Sequence, residues 1–226
     1  MKSFLGQRLL VLTAHPDDES YAIAGTIIKN RQAGGQCFLI CATLGERGKS
    51  HLKKQVTNAQ LKKIREAELK KVARFLAIDK VKVLHWPDTK LANRKRELQR
   101  ELEKLTKKLH FDSIFSFGPD GLSGHKDHIT VGAVAKKIAQ RRKVPFVAFG
   151  APPSYYKYRK LISRRRKFGV YTKKWVDFRP NLKIKIDPKQ KLQAIKLHQS
   201  QYTKNPLAHI PAQVVRDLLN YEYFEI

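Results

Sequence analysis

The fold class is set by residues 8–43, which read RLLVLTAHPDDESYAIAGTIIKNRQAGGQCFLICAT. An apolar run stands at each end of this stretch, at residues 8–14 and 36–43, and each run predicts a strand that is buried on both faces. Residues 21–33 between them predict a helix, which the glycines at 34 and 35 are suited to end. The order strand, helix, strand is typical of a parallel sheet.

The same alternation continues over the first 150 residues. Further strands are predicted at residues 81–85, 111–117 and 144–149, and further helices at residues 55–76, 98–109 and 129–140. Strand and helix thus alternate repeatedly, which predicts a parallel sheet with helices on both faces. We therefore expect an α/β fold, a three-layer α/β/α sandwich with a mainly parallel, Rossmann-like sheet.

The remainder of the chain has a different composition. Residues 151–187 hold three prolines among many basic and aromatic residues, which indicates loops with an antiparallel excursion. Residues 188–201 return to a helical pattern. Because no long linker and no internal repeat divides the sequence, we expect residues 1–226 to form a single domain with this loop-rich excursion at about 151–187.

The composition is that of a globular protein with an unusual charge. Apolar residues make up 42% and aromatic residues 9% of the chain, which excludes a disordered or low-complexity protein. The 47 lysines and arginines outnumber the 19 acidic residues, and the net charge of +28 favours an anionic partner. Residues 154–179 interleave cations with aromatic rings, a composition suited to nucleic acid or an anionic glycan. The alternative is a general charge bias, because basic residues occur along the whole chain.

Three features of the sequence indicate a soluble, cytoplasmic protein. No apolar stretch approaches the roughly 18 residues that a transmembrane helix needs. The apolar run within residues 1–12 is too short for a signal peptide. Cys37 and Cys41 lie in one predicted strand, roughly 13 Å apart and too distant for a disulfide, which fits a reducing compartment.

The first candidate site directly follows the first predicted strand. Residues 14–19 read AHPDDE, so one imidazole and three carboxylates stand where open parallel sheets bind their ligands, at the carboxyl end of a strand. A helix N-terminus would explain one or two of the acids through capping and the helix dipole. It does not explain His15, and the cluster therefore favours a functional site.

The second candidate site follows the strand predicted at residues 111–117. The sequence there continues as GPDGLSGHKDH, which places His125 and His128 three residues apart at the start of a helix. Together with His15 and Asp18 they supply imidazoles and a carboxylate. Such a set is typical of a catalytic zinc ion with an open position for water, and it suits magnesium less well.

These motifs resemble those of the PIG-L or LmbE-like family of zinc-dependent de-N-acetylases. That family carries A-H-P-D-D-E after its first strand and G-H-P-D-H more than a hundred residues later. The first motif is intact here, and the second has Lys126 in place of the proline. Weaker family-like patterns occur at residues 43–48, 65–68, 84–88 and 191–201.

The resemblance implies a function and a role for individual residues. The expected activity is the zinc-dependent removal of acetyl from an N-acetylglucosamine-type sugar. One Zn²⁺ would be bound by His15, Asp18 and His128. Asp17 would act as the general base, and His125 would assist the oxyanion or the leaving amine, with Asp127 orienting it.

The same resemblance implies that three further residues line the sugar pocket: Glu46, Arg65 and Asp88. Each also has a structural interpretation, because Glu46 could stand in a turn, Arg65 could pair with Glu68 on an exposed helix face, and Asp88 could cap a helix. His198 matches only a C-terminal pattern and is interpreted as structural or as a neighbour of the site.

Two other functions remain open from the sequence. The chain could bind nucleic acid or an anionic glycan without catalysis, or it could hydrolyse a different amide or an acetyl ester. A nicotinamide or flavin enzyme is not favoured, because no G-x-G-x-x-G follows the first strand. The sugar substrate and the oligomeric state are not determined by the sequence.

Overall fold

The computed structural model of the chain describes residues 4–157, 179–202 and 211–226. Its longer elements follow one another in the order β1 (Arg8–Thr13), α1 (Asp18–Ala22), α2 (Ala24–Gln32), β2 (Gln36–Thr43), α3 (Asn58–Phe75), β3 (Lys80–Trp86), α4 (Lys95–Lys107), β4 (Ser113–Phe117), α5 (Gly121–Gly124), α6 (Lys126–Arg142), β5 (Phe146–Gly150), β6 (Leu182–Lys185), α7 (Pro188–Leu197), α8 (Ala212–Asn220) and β7 (Tyr221–Glu225). A short 3₁₀ turn, Leu91–Arg94, precedes α4.

The strands form one sheet in the order β3–β2–β1–β4–β5–β7–β6. Every pairing from β3 to β5 is parallel, whereas β7 runs antiparallel to both β5 and β6. The prediction of an α/β fold with a mainly parallel, Rossmann-like sheet is therefore confirmed. The strand order reverses between β1 and β4, and such a switch point opens a crevice at the carboxyl ends of the two strands.

Helices cover the sheet on both faces. The helices α1, α2 and α3 pack with α7, whereas α4 packs with α6. The two groups lie on opposite faces because parallel crossovers are right-handed and the strand order reverses. The strand β4 is buried throughout, and so is β1 except for Arg8. This burial explains why both strands read as unbroken apolar runs.

The helix α6 closely approaches β4 at Gly132. A Cβ atom at this position would lie 2.1 Å from the carbonyl oxygen of Phe117, so only glycine fits there without a shift of the backbone. The contact is one helical turn from His128, whose ring stacks on Phe117 with 4.0 Å between ring centroids. Close packing of α6 on β4 therefore sets the position of this histidine.

The structure differs from the sequence prediction in several elements. The helix predicted at 21–33 begins at Asp18 and is interrupted at Ile23, whose φ of −147° and ψ of 4° are not helical. The helix predicted at 188–201 ends at Leu197. The antiparallel excursion expected within 151–187 includes β6, and β7 was not predicted. Most of the basic and aromatic stretch at 154–179 lies outside the described residues.

Within the described part of the chain, none of the helices combines the length and the apolar composition that a bilayer crossing requires. Cys37 and Cys41 are both buried free thiols.

Candidate metal centre

The two sequence motifs meet at the switch point of the sheet. His15 and Asp18 follow β1, and His125 and His128 follow the neighbouring strand β4. His125 is the N-cap residue of α6, and His128 lies in the first turn of that helix. The fold thus brings together side chains that are more than a hundred residues apart in the sequence.

Nitrogen and oxygen atoms of three potential ligand side chains converge at this point. The Nδ1 atom of His15 lies 3.1 Å from Nε2 of His128, and Oδ1 of Asp18 lies 3.3 Å from the same Nε2 atom. The distance from Nδ1 of His15 to Oδ2 of Asp18 is 3.8 Å. Tetrahedral ligands at about 2.0–2.1 Å from a zinc ion stand roughly 3.4 Å from one another, so these separations fit a single cation.

The outer nitrogen of each histidine is held by another acceptor. Nε2 of His15 lies 3.1 Å from Oδ1 of Asp88 and 3.6 Å from Oδ2 of Asp127. Nδ1 of His128 lies 3.0 Å from the carbonyl oxygen of Gly121. Acceptors in these positions place a ring proton on the outer nitrogen and direct the inner nitrogen toward a metal, as is usual for histidine ligands.

The carboxylate of Asp18 is oriented in a similar way. Its Oδ2 atom accepts hydrogen bonds from the backbone N–H groups of Ala14, at 3.0 Å, and of His15, at 2.8 Å. Burial acts to raise the pKa of Asp18, but His128 and His15 lower it well below its usual range. Asp18 is therefore ionised at neutral pH and is suited to hold a cation.

Negative charge is concentrated around His15. Burial lowers the pKa of His15, but hydrogen bonds with Asp127 and Asp88, together with the charge of Asp18, raise it to about 10. Two groups of side chains bring one potential ligand atom each to within 4.8 Å of one another: His15 with His125 and His128, and His15 with Asp88 and Asp127. A buried cluster with three carboxylates can hold a metal ion, and a divalent cation would balance its charge.

Asp17 lies beside this cluster in a strained backbone conformation. Its φ of 105° falls in the left-handed region, which residues other than glycine rarely adopt. Its Oδ1 atom lies 3.4 Å from Nη2 of Arg65. Burial raises the pKa of Asp17 to about 6, with Asp18 acting in the same direction and Arg65 in the opposite one.

Asp127 contacts His125 through its backbone. The backbone N–H of Asp127 donates to Nδ1 of His125 at 3.1 Å, so the contact does not involve the carboxylate. The carboxylate accepts from the N–H groups of Thr89, at 2.7 Å, and Leu91, at 3.2 Å, and approaches His15 instead. Burial, together with the charges of neighbouring histidines, lowers the pKa of His125 to about 2, so the ring is neutral at pH 7.

The three residues expected in a sugar pocket lie around the cluster. Oε1 of Glu46 accepts from the backbone N–H of Asp88 at 3.0 Å, and Oε2 of Glu46 is buried without a hydrogen-bond partner among the described residues. The two carboxylate oxygens of Asp88 contact His15 and the N–H of Arg47, so Asp88 is not a helix cap. It lies against a candidate metal ligand.

Arg65 is buried rather than exposed. Its guanidinium donates to the carbonyl oxygen of Gly45 at 2.9 Å and to that of Pro16. The alternative that Arg65 pairs with Glu68 on an exposed helix face is therefore wrong. Glu68 accepts instead from the N–H and the hydroxyl of Ser200, at 2.7 and 2.6 Å.

The contact between Glu19 and His198 was not predicted from the sequence. Oε1 of Glu19 lies 2.6 Å from Nε2 of His198, and both side chains are at most 1% exposed. The last residue of AHPDDE is thus joined to the C-terminal part of the chain. The motif position of Glu19 and the C-terminal pattern around His198 were the available signals, and neither links the two residues, which are 179 residues apart.

More than half of the chain matches a known protein family. Residues 10–139 match the PIG-L family, described as GlcNAc-PI de-N-acetylase. The chain is 35% identical over 136 residues to the probable N-acetyl-alpha-D-glucosaminyl L-malate deacetylase 2 of Bacillus anthracis, which covers 59% of this chain and 60% of that protein. It is 26% identical over 174 residues to the 1D-myo-inositol 2-acetamido-2-deoxy-alpha-D-glucopyranoside deacetylase of Corynebacterium diphtheriae, which covers 68% and 59%. The matches span about 60% of the length of these curated relatives.

Solved structures with the same fold include two deacetylases. The N,N'-diacetylchitobiose deacetylase of Pyrococcus horikoshii superposes with a TM-score of 0.66 at 22% identity, covering 96% of this chain and 82% of the other. The A40926 pseudoaglycone deacetylase superposes with a TM-score of 0.69 at 14% identity, covering 96% and 95%. At these identities the similarity shows a shared fold.

Proposed function

The chain belongs to the PIG-L family of GlcNAc-PI de-N-acetylases, and from this membership we propose that it hydrolyses the acetamide of an N-acetylglucosamine-type sugar. The names of two relatives describe an α-linked N-acetylglucosaminyl group, attached to malate in one and to inositol in the other. We therefore propose an α-glycoside of N-acetylglucosamine as the substrate class. All seven strands described here, β1 to β7, belong to one sheet, and this supports our proposal that the chain acts as one domain.

The observation that carries this proposal is the convergence of Nδ1 of His15, Nε2 of His128 and the carboxylate of Asp18 within 3.1–3.8 Å. We propose that these three groups hold one Zn²⁺. The orientation of both imidazoles by Asp88 and by the carbonyl of Gly121 supports nitrogen-rich ligation, which zinc prefers over the oxygen-only sites of magnesium. When bound, such an ion supplies Lewis acidity toward the acetamide carbonyl and makes a water molecule more acidic.

Asp17 is proposed as the general base. A carboxylate whose pKa is about 6 accepts a proton more readily than an ordinary aspartate and is still ionised at pH 7. It takes a proton from the attacking water while the water oxygen bonds to the carbonyl carbon. When the carbon–nitrogen bond breaks, the proton on Asp17 passes to the leaving amine. The other proton of the water leaves the new carboxyl group, which ionises at pH 7, and the products are acetate and the protonated amino sugar.

His125 is proposed to stabilise the oxyanion as a neutral hydrogen-bond donor. Its Nδ1 atom accepts the N–H of Asp127, which places the ring proton on Nε2. The low pKa of this ring disfavours its cationic form. A pre-oriented neutral N–H donor can still stabilise the charge that develops on the carbonyl oxygen. Glu46 and Arg65 are proposed to face the sugar.

The test is acetate release from a panel of N-acetylated sugars, with and without added zinc. We expect release that depends on zinc, with one zinc ion bound per chain. The panel should include α-glycosides of N-acetylglucosamine, the matching β-glycosides and a simple acetyl ester. Absence of acetate release from every N-acetylated sugar by the zinc-loaded protein would contradict the proposed function, and release from the ester alone would favour an esterase.

Two isosteric variants separate the base from the metal ligand. Asp17→Asn should retain zinc and lower kcat by roughly 10²–10⁴-fold, the usual contribution of a positioned general base. Asp18→Asn should weaken zinc binding itself, because it removes a charged donor. Metal analysis by mass spectrometry and steady-state kinetics measure both effects. Loss of zinc from Asp17→Asn, with normal zinc and rate in Asp18→Asn, would reverse the assignment.

A further inference from the structure

The backbone of Asp17 needs support from its surroundings. A φ of 105° and a ψ of −28° are unfavourable for any residue with a side chain, so neighbouring contacts must maintain them. The carbonyl oxygen of Asp17 accepts from the N–H groups of Ser20 and Tyr21, both at 3.0 Å, at the start of α1. The N–H of Asp17 points in another direction and has its own acceptor.

That acceptor is the buried carboxylate of Glu19. Oε2 of Glu19 accepts the N–H of Asp17 at 3.1 Å, while Oε1 accepts the hydroxyl of Ser20 at 2.8 Å. Glu19 is fully buried, so its charge must be balanced by donors from the protein. The third donor is His198, whose Nε2 atom lies 2.6 Å from Oε1.

His198 is fixed by the segment that follows α7. Its N–H donates to the carbonyl of Ile195 at 3.2 Å, and its own carbonyl accepts from the N–H groups of Gln201, at 2.9 Å, and Tyr202, at 2.8 Å. Its Nδ1 atom is buried and has no hydrogen-bond partner among the described residues. The polar contact of the ring is therefore directed at Glu19. Burial acts to lower the pKa of His198, but the hydrogen bond and charge of Glu19, together with the charge of Asp17, raise it above its usual value.

From these contacts we infer that Glu19 and His198 form a positioning pair that holds the backbone of Asp17 and so directs its carboxylate at the attacking water. This inference rests on the proposed function, because it assigns the pair to the general base of that reaction. Neither residue needs to touch the substrate. They act through one hydrogen bond, from the N–H of Asp17 to Glu19.

The geometry separates this role from metal binding. Asp18 is anchored independently, because its Oδ2 atom accepts the N–H groups of Ala14 and His15. When the pair is broken, φ of Asp17 is free to relax toward ordinary negative values, and the Asp17 carboxylate turns away. Loss of the pair should therefore reduce the chemical step while zinc remains bound.

The experiment compares His198→Ala with His198→Gln in the full chain. Glutamine keeps an N–H donor near the position of Nε2, whereas alanine removes it. We expect His198→Ala to lower kcat roughly 10²-fold, as a displaced reacting group does, with KM and zinc stoichiometry unchanged. His198→Gln should recover most of the loss. Hydrogen exchange of the Asp17 amide in the metal-free protein should be faster in His198→Ala and close to wild type in His198→Gln.

A buried pair elsewhere on α7 provides the matched control. Nζ of Lys191 lies 2.9 Å from Oε1 of Glu222, and both side chains are at most 3% exposed. Lys191→Met should lower the melting temperature, yet kcat per folded molecule and exchange of the Asp17 amide should stay at wild-type values. If His198→Ala does not fold, Glu19→Gln, which loses one acceptor oxygen, replaces it in the experiment. We expect the same lower kcat and the same faster exchange of the Asp17 amide.

Several outcomes would overturn the inference. An unchanged kcat in His198→Ala, or a loss that only follows the folded fraction as in Lys191→Met, would make the pair merely structural. If kcat of His198→Gln does not exceed kcat of His198→Ala, the hydrogen bond from residue 198 to Glu19 is not the cause of the loss in activity. If wild-type protein releases no acetate, the proposed function fails, and amide exchange still decides whether the pair holds Asp17: equal exchange in wild type and His198→Ala would refute it.

Discussion

Substitution of Gly132 by alanine should displace α6 from β4 and so disturb the candidate metal centre. The added Cβ atom would lie 2.1 Å from the carbonyl oxygen of Phe117, whereas real Cβ atoms essentially never come within 3.0 Å of such a neighbour. The helix must therefore move by about 1 Å, because β4 is buried and its carbonyl cannot rotate away. His128 lies one turn away on the same helix and moves with it.

Two opposing free energies set the expected size of the effect. Overpacking against a rigid neighbour costs up to ~3 kcal/mol, and the higher helix propensity of alanine offsets ~1 kcal/mol. The free energy of unfolding should therefore fall by about 2 kcal/mol, which lowers the melting temperature by roughly 4–8 °C in a domain of this size. A shift of about 1 Å in one of three ligands should weaken zinc binding at least about tenfold.

The assay combines thermal unfolding of the metal-free protein with zinc affinity from chelator competition. Gly25→Ala is the matched control, because its Cβ would lie 2.5 Å from Ile186 and destabilise α2 without moving α6. That variant should lose stability and keep its zinc affinity. If Gly132→Ala has the same stability and zinc affinity as wild type, the predicted displacement of α6 is refuted. Equal loss of zinc affinity in both variants, at equal loss of stability, would also refute it.

Two further predictions concern residues that surround the cluster. Asp88→Asn replaces the charged acceptor of His15 by a weaker one, so the affinity for zinc should fall about 10–100-fold in chelator competition, and an unchanged affinity would contradict the orienting role of Asp88. Arg65→Lys cannot reach the carbonyls of Gly45 and Pro16 together, so the free energy of unfolding in urea should fall by ~1–3 kcal/mol. A urea midpoint equal to wild type would show that these buried hydrogen bonds contribute nothing.

The central sheet could be predicted because each parallel strand leaves its own signal in the sequence. The strands β1, β2 and β4 are buried along nearly their whole length, and each reads as an apolar run that ends where the structure ends it, within a residue. Their parallel direction could be predicted from the alternation with helices. His15 and His128 could be expected at one edge, since the carboxyl ends of parallel strands lie together.

Other elements have no local signal of this kind. The break between α1 and α2 falls at Ile23, where neither glycine nor proline marks a helix end. The strand β6 has only four residues, two of them lysines, and is too short for its periodicity to be distinguished from a loop.

Contacts between segments that are distant in the chain could not be predicted from the sequence either. The pairing of Glu19 with His198, and of the Asp127 carboxylate with the N–H groups of Thr89 and Leu91, depends on which loops cross in space. Hydrophobic periodicity indicates the exposed and buried faces of a single helix or strand. It does not indicate which residue of another segment packs against that face. For this reason the sequence did not predict that the Asp127 carboxylate accepts the N–H groups of Thr89 and Leu91.

The position of β7 between β5 and β6 has a consequence for the order of events during synthesis. The strands from β3 to β5 can pair as soon as they leave the ribosome, whereas β6 must wait for β7, its one neighbour in the described sheet. At about 5–20 residues per second, that delay is roughly 2–7 s. Glu222 arrives with β7 and then accepts the N–H groups of Gly25 and Thr26 and the ammonium of Lys191. Lys191 lies on α7, which leads into His198, so α7 gains this buried ion pair only after β7 has been synthesised.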